Sequence, residues 1–124
     1  MTWQNIRNLE IYQLSMKIGD DVYKITDKFE GLNKHTLGYL LIRAADSIAA
    51  NIAEGYGRFH FRDQVRFCYI ARGSLFETKV WLEKAKERVN EKRNDIERII
   101  QMLDLLHLKL NAYIKHINNK LINQ

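Results

Sequence analysis

The sequence predicts an all-α protein, an antiparallel up-down-up-down four-helix bundle, and three observations carry that prediction. Proline is absent and glycine appears only six times in 124 residues, too few turn formers for a β fold. Apolar residues recur at intervals of three and four along four long stretches, the period of helices with one buried face. The segments between those stretches are short, so successive helices must run antiparallel. A single domain over residues 1–124, with one core and no internal linker, is expected from this length.

The first helix is expected over about residues 8–28, capped by Asn8, with Ile11, Leu14, Ile18, Val22, Ile25 and Phe29 on its buried face. Gly31 supplies a left-handed stop, and Asn33 or Thr36 can cap a second helix over about 35–54. That helix carries two stripes: an apolar one of Leu41, Ala44, Ala45, Ile48 and Ile52, and a polar one of Arg43, Ser47, Asn51, Glu54 and Arg58. Its five alanines between positions 44 and 53 predict close packing. Gly55 and Gly57 end it, and a third helix follows over about 60–90, with Phe67, Ala71, Thr78, Leu82 and Val89 in its apolar face. Asn94, with Glu97 three residues later, has the pattern of a capping box for a fourth helix over about 94–122, whose stripe runs from Ile96 through Leu103 and Leu110 to Leu121.

Folding the third helix back on the second about residue 59 sets Gly73 opposite Ala45. Close backbone approach there would compensate the roughly 1 kcal/mol that a glycine costs inside a helix. The same register brings Asp63 and Arg66 near Asn51 and Glu54, and Glu77 near Arg43. The polar stripe is therefore expected to be a paired structural seam between helices or between protomers, since buried charges persist only when partnered.

The net charge of +5 is unevenly placed. Residues 1–54 hold six Lys/Arg against seven Asp/Glu, whereas residues 55–124 hold fourteen against eight. Two basic surfaces stand out. Arg58, Arg62 and Arg66 form a row with His60 and Tyr69 nearby, and Lys109, Lys115 and Lys120 follow Asp104, the last acidic side chain. Both are candidate contacts to RNA or DNA, although cations late in a helix also complement its dipole. Apolar residues off the main stripes, Tyr12, Tyr23, Tyr39, Leu40, Phe59, Phe61, Leu75, Phe76, Val80, Leu105, Leu108 and Tyr113, exceed what a monomer needs and predict self-association.

Catalytic chemistry finds little support. A di-metal carboxylate bundle needs two Glu-x-x-His pairs, and the chain offers only Asp104-x-x-His107, so no metal or cofactor is expected. A ribonuclease of the HEPN class would show an arginine followed by a histidine after four to six residues, and none does. Cys68, between Phe67 and Tyr69, reads as a small core or interface residue rather than a nucleophile. The lone cysteine, the absence of a run of roughly 20 apolar residues and an N-terminus without a basic-then-apolar pattern lead us to expect a soluble cytoplasmic protein with no membrane partner.

Ser47-Ile48, Asn51-Ile52-Ala53-Glu54-Gly55, Gly57-Arg58, Arg66-Phe67, Ile70-Ala71 and Gly73-Ser74-Leu75 resemble the signature of a bacterial four-helix-bundle family. That family was first noticed as proteins encoded in intervening sequences of 23S ribosomal RNA genes. Upstream, Asn8-Leu9-Glu10-Ile11-Tyr12 and Val22-Tyr23-Lys24-Ile25-Thr26 have the spacing of its first helix, so the resemblance covers most of residues 8–82. It implies a homo-oligomer, a pentameric ring. Relatives that serve as accessory proteins of diversity-generating retroelements bind a reverse transcriptase and nucleic acid through such a ring. The expected function is a non-enzymatic oligomeric scaffold that binds RNA or DNA, the alternative being an adaptor ring that recruits an enzyme.

Overall fold

The structure, a computed structural model, describes residues 2–123. It is helical throughout. A short α1 (Trp3–Ile6) leads into α2 (Glu10–Asp27); α3 (Gly31–Asn33) passes through a π-helical turn (Lys34–Gly38) into α4 (Tyr39–Tyr56). α5 (Phe61–Arg88) and α6 (Arg93–Ile122) complete the chain. Each long helix packs on its neighbours in sequence, and α6 closes back onto α2, which makes an antiparallel four-helix bundle with α4 against α5 as its most extensive contact.

The apolar stripes do what their spacing implies. Ile18, Val22, Leu41, Ala45, Ile48, Leu75, Leu82, Leu103 and Leu106 are wholly buried in one contiguous core. Leu75, which the sequence sets off the stripe, is part of it. At the bundle end opposite the α4–α5 turn, Lys86 Nζ donates to Glu97 Oε1 at 2.7 Å and lies 3.1 Å from Glu83 Oε2. These two carboxylates push the Lys86 ammonium pKa up from its ordinary value, the bond to Glu97 first.

The element boundaries differ from expectation where capping was invoked. α1 begins with a true capping box, in which Thr2 Oγ1 accepts from the Asn5 amide at 3.2 Å and Asn5 Oδ1 accepts from the Thr2 amide at 2.9 Å. α2 starts after Leu9, with no side-chain cap, so Asn8 does not serve. Gly31 does adopt φ +57°, but as the first residue of the next helical segment rather than after a gap. Neither Asn33 nor Thr36 caps a helix: Thr36 Oγ1 donates to Leu32 O at 2.7 Å within the turn, and Asn33 Nδ2 donates to Arg88 O at 3.3 Å across the bundle end. α6 begins at Arg93, leaving Asn94 inside it, and Glu97 is taken by Lys86 instead of closing a capping box.

Close approach of α4 and α5 occurs at a different glycine from the one expected. Gly73 lies on the exposed side of α5, where an added Cβ would meet open space, and it does not face Ala45. The tight contact is at Gly55, where a Cβ would fall 2.9 Å from Phe67 Cβ and 3.1 Å from the Gln64 carbonyl oxygen. The expected pairing needs Gly73 on the buried face of α5, and it lies on the exposed one.

Candidate nucleic-acid interface at one end of the bundle

The turn between α4 and α5 and the C-terminal part of α6 lie at the same end of the bundle. Lys120 Nζ sits 5.9 Å from the centroid of the Phe61 ring, which joins the two basic surfaces that lie far apart in the sequence. Three segments meet here: residues 2–13, 53–69 and 109–123. They hold seven Lys/Arg (Arg7, Arg58, Arg62, Arg66, Lys109, Lys115 and Lys120) against three acids, Glu10, Glu54 and Asp63. Most of the net charge of +5 is thus gathered at one end, while the remaining Lys/Arg and Asp/Glu nearly balance.

The cations there are not equivalent. Arg58 Nη2 donates to Glu54 Oε1 at 2.6 Å, one turn back, and Arg66 Nη2 reaches Asp63 Oδ1 at 3.5 Å. Both guanidiniums also stack on Phe67, with Cζ 4.8 and 4.6 Å from its centroid. Lys109 is held by Glu10 at 2.7 Å. Among the described residues, Arg7, Arg62, Lys115 and Lys120 have no carboxylate partner and stand exposed, the last three on the α5 and α6 side of this end. Phe59, 88% exposed, caps the same end with its ring edge-on to His60 at 5.1 Å.

The polar stripe is not the cross-helix seam that the register suggested. Ser47 Oγ donates to Ala44 O and Asn51 Nδ2 to Ser47 O, both within α4. Arg43 is exposed, and Glu77 accepts from Trp81 Nε1 at 3.3 Å rather than pairing with it. Arg66 pairs within α5 and not with Glu54. Ser47, Asn51, Arg66 and Glu77 each find a partner three or four residues away on their own helix, the cheapest geometry available to them.

Between the start of α5 and the end of α6 is a half-open cavity of about 410 Å3, lined among others by Tyr56, Phe61, Gln64, Tyr113, His116 and Lys120. Gln64 is buried, and its Nε2 donates to the Arg58 carbonyl at 2.9 Å, which ties the turn to α5 and fixes the amide. Burial pushes the Tyr113 phenol up to about 12. Cys68 lies deeper still. Burial raises its thiol to about 11, which makes it an inert core group as the sequence suggested. Asp104 is held by Lys79 and His107 packs edge-on to Phe76 at 5.0 Å, so the one Asp-x-x-His pair is spent on surface contacts.

Residues 7–112 match the family described as 23S rRNA-intervening sequence protein. The chain belongs to that family. Among solved structures it is similar to one of a protein of unknown function from the S23 ribosomal protein family of Bacteroides thetaiotaomicron, with a TM-score of 0.75 and 21% sequence identity over 85% of this chain and 98% of that one. At that identity the likeness establishes the fold, which is the four-helix bundle described above. The chain matches no curated protein. Among the described residues no helix is long and apolar enough to cross a membrane.

A second concave surface was not legible in the sequence. Trp3, Tyr12, Met16, Gly19, Ala49 and Ala53 line a groove of about 380 Å3 between α1, α2 and α4, with Asp20 and Asp46 at its edge. Its signal would have been the pairing of small residues on two helices, Gly19 with Ala49 and Ala53, but the aromatic wall depends on α1, which was missed. An added Cβ on Gly19 would lie 2.9 Å from Asp46 Oδ1.

Proposed function

We propose that this chain is a non-enzymatic, self-assembling module that binds RNA or DNA through one end of its bundle. The observation that supports this reading is the convergence of the α4–α5 turn and the α6 C-terminus into one basic end, with Arg62, Lys115 and Lys120 unpaired beside exposed aromatic rings. Unpaired cations release counterions from a polyanion without first breaking an ion pair, so these three contribute most of the electrostatic attraction. Self-assembly is supported by exposed apolar residues away from this end, Phe76 and Val80 on α5 and Leu105 and Leu108 on α6.

The test is binding of a short structured RNA and of DNA by the wild type and by the triple variant Arg62→Gln/Lys115→Gln/Lys120→Gln, at several salt concentrations. The wild type is expected to bind at low salt, and the variant to lose about 0.7–0.9 from the log–log salt slope for each phosphate contact removed. A wild type that takes up neither nucleic acid at low salt would overturn the reading in favour of an adaptor that recruits a protein partner.

A further inference from the structure

We infer that the cavity between α5 and α6 receives one unstacked, unpaired base, so that the basic end selects single-stranded segments of nucleic acid over duplex. The inference rests on the nucleic-acid reading above and concerns what the cavity adds to the charge. Three aromatic side chains, Tyr56, Phe61 and Tyr113, line it, and a base offers a π face to each whatever its identity. Its volume of about 410 Å3 falls within the roughly 300–1,000 Å3 of small-molecule sites, ample for one planar ring system.

The polar groups are placed to meet a base edge and the phosphates beside it. With its Nε2 committed to the Arg58 carbonyl, Gln64 turns its carbonyl oxygen to the remaining task of accepting a hydrogen bond, which exocyclic amino and ring N–H groups of bases supply. The Tyr113 hydroxyl can donate to a base carbonyl. Lys120, at the wall and over Phe61, and the exposed His116 stand where the backbone of an inserted nucleotide would pass, and Arg62 and Lys115 carry the positive surface outward. A base still paired in a duplex cannot enter such a slot without being unstacked, which costs several times more than lifting one from a single strand.

The experiment compares three oligonucleotide probes of one length: a single strand, the same strand in a duplex, and an abasic strand that keeps the phosphates and lacks the bases. Affinities are measured by fluorescence anisotropy for the wild type, for Phe61→Leu, which keeps apolar volume but removes the ring, and for Tyr113→Phe, which removes only the hydroxyl. The wild type is expected to bind the base-bearing single strand about ten-fold more tightly than the abasic strand, from the worth of one stacked base. Phe61→Leu should abolish that ratio with the salt slope unchanged. Equal wild-type affinity for base-bearing and abasic strands would overturn the inference while leaving the charge-based reading intact, and the wild-type comparison does not depend on any variant folding. Failure of all three probes to bind at low salt would overturn both.

Discussion

Asp46 shows how far a single side chain can work against its own fold. Partial burial in the groove beside Gly19 raises its carboxyl above the ordinary value, and the nearby Asp20 carboxylate adds to the effect. A carboxyl whose folded pKa is raised contributes stability that is present below the unfolded value and lost as pH rises through the folded one. At neutral pH its charge is therefore a liability. Asp46→Asn is expected to raise the thermal midpoint at pH 7, and the gap to the wild type should narrow as pH falls and close below the ordinary aspartate value of about 3.9, where the carboxyl is protonated in folded and unfolded chains alike. Melts at the two pH values check it. At this scale the sequence was least legible. Arg43 with Glu77, and Glu54 with Arg66, were paired from register alone, but register places Cα atoms and leaves the direction of long side chains to whatever partner lies nearest. For Glu54 that partner is Arg58, four residues on and just past the end of α4.

The elements were legible in their interiors and not at their ends. Ile11 to Phe29, Leu41 to Ile52 and Ile96 to Ile117 report burial through a period that many residues share, so no single substitution obscures it. A cap rests on one or two side chains, and Asn8, Thr36 and Asn94 each had a plausible sequence position with no matching geometry. Gly55 in α4 and Gly73 in α5 separate the same way. Gly55→Ala should destabilise by about 1–3 kcal/mol, because its Cβ would crowd Phe67 and the Gln64 backbone and α4 and α5 would have to part. Gly73→Ala should instead stabilise by up to about 1 kcal/mol, since the methyl meets nothing and the unfolded chain loses freedom. Urea denaturation of the two variants checks both signs at once. Equal destabilisation would mean that Gly73 is covered in solution.

For the whole molecule, the bundle and its antiparallel order followed from stripe period and loop length, whereas the candidate interface did not, because it is assembled from segments at positions 53–69 and 109–123 that meet only in three dimensions. Self-association belongs to this scale too. Replacing Phe76 and Leu108 with Glu should reduce the native mass toward the 14.7 kDa of one chain with helicity unchanged, measured by light scattering and circular dichroism. A wild type already at that mass would mean these apolar side chains serve another partner. The gathering of charge at one end also has a kinetic meaning. A body that is positive at one pole and close to neutral elsewhere carries a dipole along its long axis, and the field of a polyanion exerts a torque on it before contact. The molecule would thus arrive with its slot already facing the strand, so that fewer encounters are wasted on the wrong orientation.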